Sequence, residues 1–489
     1  LVLINSCLLS KYLSYLLHLS DNNSKPLTMI YPQKTFSFCL LPVCCLFTTK
    51  VYASPPQKPN IILINIDDLG WADVGFNGSK YYETPNIDKL KQNGINFTNA
   101  YASAANSAPS RACLLSGLYT PRHGVYTVHP PERGKAEDRG LIPSNNNTVL
   151  GSSVYTLPMA MKAAGYQTCN IGKWHVGEDP TLQGMDVNIG GNHAGHPKSY
   201  FSPYGNPNLS DGPEGEYLMD RLSDEAVNYI KNVDRNKPFF LHYATYAVHT
   251  PLQAKAELIE KYKQKESTAA HNNPIYAAMV ENMDQSVGKV LNAVEQSGLA
   301  ENTLIIFTSD NGGVYHISKQ WALRAGKGSF YEGGIRVPFI VYMKGCYEGG
   351  TDLNMPVSQI DLFPTFCELT DTKPPIQPDG KSLLPVLNKS NMTYLDERPL
   401  YWHFPAYLEG GHTESRDRIF RTRPVSVIRK GNWKLIENYE DGSLELYNLN
   451  NDVSEKTDLS KTNKEMRKQL YGLLNEWKKE VNAPIPQKK

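Results

Sequence analysis

The stretch Asn60-Ile-Ile-Leu-Ile-Asn-Ile66, followed by Asp67-Asp68-Leu69-Gly70, decides how this chain folds. Its first seven residues are a nearly continuous aliphatic run, which is typical of a strand buried on both faces of a parallel sheet. Two adjacent carboxylates at the end of such a strand are costly to bury unless a positive charge holds them. Ligands of open α/β sheets bind at the carboxyl ends of strands, and hard divalent cations prefer carboxylate oxygens. We therefore expect Asp67 and Asp68 to bind a metal ion, with a solvated turn as the alternative.

A second apolar run has the same ending. Thr303-Leu-Ile-Ile-Phe-Thr308 leads into Ser309-Asp310-Asn311-Gly312-Gly313, so Asp310 and Asn311 are expected to add oxygen ligands to the same site. Between the two runs, helical and strand patterns alternate, which predicts an α/β fold. We expect helices at about 84–94, 157–165, 224–233 and 276–297, and strands at about 97–101, 166–171 and 239–244.

A third stretch, Ser107-Ala-Pro-Ser-Arg-Ala-Cys-Leu-Leu-Ser-Gly117, reads as the start of a helix. Pro109 suits the first turn of a helix, so Ser107 is expected at the N-terminus, where backbone N–H groups favour an anion. Ser110 could cap this helix, and Arg111, one turn beyond Ser107, could hold the anion. A capped helix without catalytic function is the alternative interpretation.

More polar residues follow the other expected strands. Lys173 and His175 stand after the strand at 166–171, and His249 follows the strand at 239–244. Lys327 lies in the glycine-rich loop Leu323-Arg-Ala-Gly-Lys-Gly328. Because the carboxyl ends of parallel strands share one edge of a sheet, these side chains are expected near the carboxylates.

Together these stretches resemble the type I sulfatases. The string at 107–117 resembles the signature (C/S)-x-P-(S/A)-R-x-x-x-x-T-G, with Ser116 in place of the more usual threonine. Gly172-Lys-Trp-His175 resembles a second motif of the family, and Tyr447-Asn-Leu-Asn-Asn-Asp452 resembles a signature of its C-terminal subdomains. The resemblance covers essentially the whole chain after residue 53, in the family's order. It implies an alkaline-phosphatase-like mixed sheet sandwiched by helices, with a small C-terminal subdomain of antiparallel sheet plus helix.

The resemblance also implies the chemistry. In the family, the residue at position 107 is oxidised to formylglycine, whose hydrated aldehyde is the nucleophile. Since this chain has Ser107, it is similar to the serine-type members, which a radical-SAM sulfatase-maturing enzyme modifies. The implied ligands of one Ca²⁺ are Asp67, Asp68, Ser107, Asp310 and Asn311. The implied catalytic residues are Ser107, Arg111, Lys173, His175, His249 and Lys327.

The roles of these residues follow the same resemblance. Arg111 would orient residue 107, and Lys173 and Lys327 would hold the sulfate oxygens. His249 would donate a proton to the leaving oxygen, and His175 would accept one.

The substrate is expected to be a sulfated sugar. Residues 177–215 are rich in Gly, Pro, Asn and His, and the loop Gly190-Gly-Asn-His-Ala-Gly-His196 resembles that of bacterial polysaccharide sulfatases. This favours a sulfated algal galactan or a glycosaminoglycan-type sugar. The candidate substrate residues are Trp174, His193, His196, Tyr204, Trp321, Arg324, Trp402 and His403, and for each aromatic residue a place in the core is the alternative.

Two other functions stay open. One is a phosphodiesterase or phosphonate hydrolase of the same superfamily. The other is a non-catalytic protein that binds sulfated glycans with Ser107 unmodified.

Composition and the N-terminal region indicate which partners, localisation and domain bounds to expect. Fifty Lys and Arg residues against 49 Asp and Glu give a net charge of +1, which favours neither a nucleic-acid nor a membrane-surface partner. Met29, Lys34 and the apolar run at 36–47, followed by Ala53, fit a signal peptide for export to the periplasm or the medium. A membrane anchor is the alternative, and no membrane span is expected after it. We therefore expect an upstream segment and signal peptide at 1–53 with its start at Met29, a catalytic domain at 54–390 and a C-terminal subdomain at 391–489.

Overall fold

The computed structural model describes residues 58–489, so the expected signal peptide lies outside the described residues. The strands are β1 Asn60–Ile66, β2 Ile95–Phe97, β3 Ala100–Tyr101, β4 Leu141–Ile142, β5 Gln167–Gly172, β6 Val187–Ile189, β7 Phe239–Ala244, β8 Thr303–Ser309, β9 Phe339–Tyr342, β10 Thr351–Leu353, β11 Val357–Ser358, β12 Leu400–Phe404, β13 Leu408–Glu409, β14 Phe420–Thr422, β15 Val425–Lys430, β16 Trp433–Asn438, β17 Leu444–Asn448 and β18 Gln487–Lys488. The α-helices are α1 Pro85–Asn93, α2 Ser107–Ser116, α3 Thr120–His123, α4 Leu157–Ala163, α5 Leu218–Asn232, α6 Ala256–Gln264, α7 Pro274–Gln296, α8 Glu332–Ile335, α9 Leu362–Leu369, α10 Leu384–Leu387 and α11 Lys464–Glu480.

A mixed sheet of eight strands forms the centre, in the order β10-β2-β9-β8-β1-β7-β5-β6. Strand β9 is antiparallel to both of its neighbours, and all other pairs are parallel. Strand β1 lies in the middle, between β7 and β8. Its carboxyl end therefore meets the ends of two parallel strands, which is where the polar residues follow in the sequence.

Helices cover both faces of this sheet, which explains the continuous apolar run of β1. Ile62 and Ile64 pack in one hydrophobic cluster with Met283 of α7. Ile61 and Leu63 pack in a second cluster with Leu115 of α2. Because successive side chains of a strand point to opposite faces, every residue of β1 is buried. The expected α/β fold with helices on both faces is confirmed.

The C-terminal part forms its own antiparallel sheet, in the order β12-β15-β16-β17. Helix α11 packs on it through Leu470, Leu474 and Trp477, which share a cluster with Ile428 and Leu435. This arrangement confirms the expected small sheet-plus-helix part. A separate hairpin of β13 and β14, which the sequence pattern did not predict, precedes β15.

Three element predictions differ from the structure. The single strand expected at 97–101 is two short strands, because β2 pairs with β9 and β10 whereas β3 pairs with β11. The helix expected at 224–233 begins earlier, at Leu218. The region 177–215 contains the short strand β6, which extends the central sheet beside β5. Within residues 58–489, we find no helix with the length and hydropathy needed to cross a bilayer.

Candidate active site

Three carboxylates meet where β1 and β8 end. Asp67 and Asp68 follow β1, and Asp310 follows β8, whose last residue pairs with the last residue of β1. Each of the three offers an oxygen within 4.8 Å of the others, and all three are buried. The backbone N–H of Asp68 donates to Asp310 Oδ1 at 3.1 Å. Asp68 has a φ of 61°, a left-handed conformation that is costly for a non-glycine residue and is typical of functional sites.

Asp67 is held by two cations. Lys173 Nζ donates to Asp67 Oδ2 at 2.7 Å, and Arg111 Nη2 lies 3.9 Å from Asp67 Oδ1. Burial raises the pKa of Asp67 to about 7, although Lys173 opposes this change. Burial also lowers the pKa of Lys173, and Asp67 opposes that shift. Lys173 is fully buried beneath the carboxylate and does not line the cavity described below.

The other two carboxylates have their own cations. Lys327 Nζ lies 2.7 Å from Asp68 Oδ1, and Arg111 Nε donates to Asp310 Oδ2 at 2.8 Å. Burial alone would raise the pKa of Asp68, but Lys327 and His249 outweigh it and hold the pKa below its usual range. For Asp310, Arg111 likewise overcomes burial and lowers the pKa.

Ser107 is the first residue of α2 and points into this cluster. Its Oγ lies 3.1 Å from Asp67 Oδ1 and 3.2 Å from Asn311 Oδ1. Asn311 in turn donates its Nδ2 to Asp68 Oδ1 at 2.8 Å. The prediction that Ser110 caps the helix is wrong. Asn106 holds the cap position, because the helix already begins at Ser107, and Ser110 Oγ donates to Gln359 inside the protein.

These residues fit a divalent cation. The Ser107 hydroxyl has one proton, yet it faces two acceptor oxygens, so the converging oxygens outnumber the protons between them. Carboxylate, amide and hydroxyl oxygens are the donors that Ca²⁺ takes in proteins. The donor set that would hold it is Asp67, Asp68, Ser107, Asp310 and Asn311.

Two histidines lie beside the cluster. His175, three residues after the end of β5, has a φ of 69°, and its Nδ1 has no hydrogen-bond partner within the described residues. Burial, with Lys173 and Arg111, lowers its pKa well below the usual range. His249 Nε2 lies 3.6 Å from Asp68 Oδ2. Burial and the neighbouring Lys327 lower the pKa of His249 to about 3.

A cavity of about 600 Å³ opens onto Ser107. The predicted residues that line it are Ser107, His175, His193, His196, His249 and Lys327. The loop at 190–196 contributes two of them, and the ring of His196 stacks on that of His249 with the centroids 5.8 Å apart. The structure therefore brings four of the six catalytic candidates and two of the substrate candidates together at one opening, while Arg111 and Lys173 lie buried behind it.

Three substrate candidates of the sequence lie elsewhere. Trp174 is buried in the core and donates Nε1 to Gln183 at 2.5 Å, because its side chain packs against the helix layer rather than the cavity. His403 is a buried residue of β12 in the C-terminal sheet, with its Nε2 2.9 Å from the carbonyl of Pro484. The Arg324 guanidinium lies 3.6 Å from the centre of the Tyr331 ring, and it lines a different cavity.

The remaining aromatic candidates are also outside the cavity. Trp402 and Tyr204 are buried, with Trp402 Nε1 donating to the carbonyl of Ala102 at 2.9 Å. Trp321 is exposed and lines the same second cavity as Arg324, away from Ser107. For Trp402 and Tyr204, the alternative of a core position is the correct one.

Three charged residues of the cavity were missed. Arg133 comes from the loop between α3 and β4, and Glu409 and Arg421 come from the hairpin of β13 and β14. They carry no local motif, and their positions depend on pairings that are distant in the sequence. The only signal was the excess of arginine at 416–423, which by itself indicates no site.

Comparisons with known proteins show the family of this chain. A family profile described as Sulfatase matches residues 59–372, and one described as N-sulphoglucosamine sulphohydrolase, C-terminal, matches residues 325–480. A sulfatase of Formosa agariphila is 35% identical and is aligned over 92% of this chain and 93% of its own. N-acetylgalactosamine-6-sulfatase of Mus musculus is 31% identical, over 72% of this chain and 70% of its own.

Solved structures show the same fold. The crystal structure of Ps i-CgsB in complex with k-i-k-neocarrahexaose is 34% identical, with a TM-score of 0.71 over 86% of this chain and 93% of that chain. The phosphonate monoester hydrolase of Agrobacterium radiobacter has a TM-score of 0.67 at 20% identity, over 87% of this chain and 96% of its own, which shows a shared fold alone. From its matched profile, its relatives and its fold, the chain belongs to the type I sulfatase family and is a sulfuric ester hydrolase.

Proposed function

We propose that this enzyme hydrolyses sulfate esters on a sulfated carbohydrate of the algal galactan or glycosaminoglycan type, with a formylglycine nucleophile derived from Ser107. The observation that carries the proposal is the position of Ser107. Its Oγ meets Asp67 and Asn311 at the floor of a cavity that Lys327, His175 and His249 also line. The names of the relatives support the substrate class, since they include an N-acetylgalactosamine-6-sulfatase and a protein solved with a neocarrahexaose.

Two groups absent from the coded sequence would complete the site. A hydrated formylglycine would supply the attacking hydroxyl, and Ca²⁺ held by the carboxylates would lower the pKa of that hydroxyl and neutralise sulfate oxygens. A single serine hydroxyl could not both attack the sulfur and afterwards release the bound sulfate, so the proposal includes a radical-SAM maturase as a partner. It also includes export, to the periplasm or the medium, where sulfated polysaccharides are met.

The cations of the site hold the substrate and the nucleophile. Lys327 lines the cavity and can turn from Asp68 to a sulfate oxygen, where it would stabilise charge in the transition state. Lys173 is fully buried on Asp67. Its first role is therefore to keep that carboxylate ionised and oriented, with a contact to sulfate only at the floor of the site. Arg111 fixes Asp310 and lies close to Asp67, which keeps the oxygen donors in place.

His175 suits the role of proton acceptor. Its lowered pKa keeps the imidazole neutral at pH 7, which leaves one ring nitrogen with a lone pair that can accept a proton, although burial also makes the ring a weaker base. Its Nδ1 is not engaged by any described residue. The edge of the ring that carries Nε2 faces Gly195 of the cavity loop, since a Cβ built there would lie 2.7 Å from Nε2.

His249 is the proposed proton donor to the leaving sugar oxygen. Its Nδ1 lies 2.8 Å from the carbonyl of Thr250, which can only accept, so Nδ1 carries the proton of the neutral ring. Nε2 gains a proton only when the ring is charged. A bound sulfate would favour that charged form, because a nearby anion raises the pKa of an imidazole.

The test begins with the peptide that contains residue 107, from protein made with a serine-type maturase. We expect the mass to fall by two hydrogens and the product to react with aldehyde reagents. The matured protein should release sulfate, but not phosphate, from sulfated sugars. Ser107→Ala should remove this activity while the protein still folds.

Other results would favour the other functions. Release of phosphate or phosphonate with a rate above that of sulfate would identify a phosphodiesterase or phosphonate hydrolase. Unmodified Ser107 in natively matured protein would leave a glycan-binding protein. His249→Ala separates enzyme from binder, since turnover should be lost while binding of the sugar remains.

A further inference from the structure

The hairpin of β13 and β14 brings charge to the catalytic cavity that the proposed reaction does not use. Glu409 and Arg421 of the hairpin and Arg133 of the preceding loop all line the cavity. None of them contacts Ser107, the carboxylate cluster or the two histidines through a hydrogen bond or an ion pair in the described structure. They are therefore candidates for binding a part of the substrate away from the reacting sulfate.

The acids of this hairpin are already paired. Glu409 Oε1 accepts from Nε and Nη2 of Arg133 at 3.0 and 2.5 Å. Asp417 lies 2.6 Å from Nε of Arg423. Glu414, the third acid, accepts a backbone N–H at 2.8 Å. Each acid is thus engaged through one oxygen, although Glu409 Oε2 has no hydrogen-bond partner within residues 58–489. None of the three acids forms an ion pair with Arg421.

Arg421 has no carboxylate within ion-pair distance among the described residues, although Asp68 and Glu409 are near enough to favour its charged form. The arginines next to it in ion pairs are Arg133, Arg416 and Arg423, and none of the ion pairs found within residues 58–489 involves Arg421. Its one hydrogen bond runs from Nε to the carbonyl of Gly410 at 3.4 Å. The half-buried guanidinium makes a single long hydrogen bond to the described residues, so its other N–H donors are free to bind an anion in the cavity.

The backbone around Arg421 directs its side chain toward Lys327. A Cβ added to Gly410 would lie 3.3 Å from Arg421 Nε, and one added to Gly328 would lie 3.0 Å from Arg421 Cδ. Gly328 follows Lys327 directly. The arginine therefore runs past two residues that lack side chains and ends in the cavity that Lys327 also lines.

We infer that Arg421 binds a second anionic group of the substrate, a sulfate ester or a carboxylate, while the reacting sulfate lies at Ser107 and Lys327. This inference rests on the proposed function, because it takes the cavity to hold a sulfated sugar. It narrows the substrate to glycans with a second acidic group on the same or the adjoining sugar unit. A guanidinium suits this task because its planar fork binds two oxygens of one sulfate or carboxylate.

The test measures binding with Ser107 left as serine, so that no turnover is needed. Calorimetry compares three sugars: N-acetylgalactosamine 6-sulfate, N-acetylgalactosamine 4,6-disulfate, and the chondroitin disaccharide that adds a uronate carboxylate to the 6-sulfate. We expect the full chain to bind one of the two doubly charged sugars about tenfold or more tightly than the singly charged one. Which of the two it prefers distinguishes a sulfate from a carboxylate at Arg421.

Arg421→Gln should remove this preference and leave binding of the singly sulfated sugar unchanged. Arg418→Gln is the matched control, because Arg418 is exposed on the same hairpin and does not line the cavity. This variant should keep the preference for the doubly charged sugar. Equal affinity of the unmutated chain for all three sugars would overturn the inference. An equal loss for singly and doubly charged sugars in Arg421→Gln would also overturn it, since Arg421 would then serve the reacting sulfate. Sulfate release by the matured enzyme is measured separately, so a failure of the proposed reaction is not confused with a failure of this subsite.

Discussion

Arg111 Nε donates a hydrogen bond of 2.8 Å to Asp310 Oδ2, and both side chains are buried. The guanidinium also donates Nη1 to the backbone carbonyl of Lys173 at 3.3 Å and lies near Asp67. One side chain of α2 therefore connects the ends of β1, β5 and β8. Because it neutralises carboxylates that are close together, it contributes to folding as well as to the chemistry of the site.

Replacing Arg111 with alanine should lower the free energy of unfolding by about 3–5 kcal/mol, because a buried carboxylate loses its cation. Guanidinium denaturation in the presence of a chelator measures this loss of free energy of unfolding. Arg122→Ala is the control, since the Arg122 guanidinium that pairs with Asp379 at 2.8 Å is partly exposed, and its loss should cost about 1 kcal/mol. Similar losses in the two variants would contradict the role given to Arg111.

Calcium should stabilise the fold, because it relieves the repulsion among the three buried carboxylates. At a concentration a hundredfold above the Kd, the free energy of unfolding should rise by about 2.7 kcal/mol. Differential scanning calorimetry with calcium and with chelator measures the shift in Tm. Asp68→Asn should lose most of that shift. Asp284→Asn, a buried acid outside the cluster that accepts the backbone N–H of Ile87 at 2.9 Å, should keep it. A full calcium shift in Asp68→Asn would show that the ion binds elsewhere.

The parts of the site that the sequence predicts are those that follow a buried strand. A short β-branched run such as β1 is typical of a strand covered on both faces, and parallel pairing then fixes where Asp67 and Asp310 meet. The position of Arg421 could not be predicted in this way, since β14 is only three residues long. It reaches the cavity through a hairpin whose pairing leaves no strong pattern in the sequence. Trp174 shows the opposite error. The sequence makes it a candidate substrate residue, but tertiary packing buries its side chain in the core, which was the alternative.

Acid should destabilise the protein through buried histidines. Burial lowers the pKa of His403 to about 3, whereas the ordinary value in an unfolded chain is about 6.5. As the pH falls below about 6.5, the unfolded chain takes up a proton that the folded chain binds only near pH 3, so stability is lost across this window. His123 and His242 have pKa values lowered to about 3 by burial as well, and they add to the slope.

His403→Gln isolates one of these contributions. From pH 8 to pH 5, the unmutated chain should lose about 2 kcal/mol more of its free energy of unfolding than the variant does. Denaturant titrations at several pH values measure the difference. Ser426→Ala is the control, because it removes the hydroxyl 2.7 Å from His403 Nδ1 but leaves the titrating ring. This control should be less stable at every pH, but its free energy of unfolding should change with pH as in the unmutated chain. If the pH dependence fell equally in both variants, the His403 ring could not be its cause.

Gly195 leaves the space that His175 needs in the cavity. A Cβ added to Gly195 would lie 2.7 Å from Nε2 of His175, closer than real contacts of a Cβ. Gly195→Ala should therefore turn the imidazole away from its position. Because the loop is partly exposed, the substitution should put little strain on the rest of the fold. A displacement of about 1 Å at the proton acceptor can reduce the rate by about a hundredfold. We expect kcat for sulfate release to fall by about that factor, with Tm almost unchanged. Gly151→Ala is the matched control, because its nearest neighbour would be 3.9 Å away and its backbone has no left-handed φ. Full activity in Gly195→Ala would show that the position of His175 does not limit turnover, and the proton acceptor would then have to be another group of the cavity.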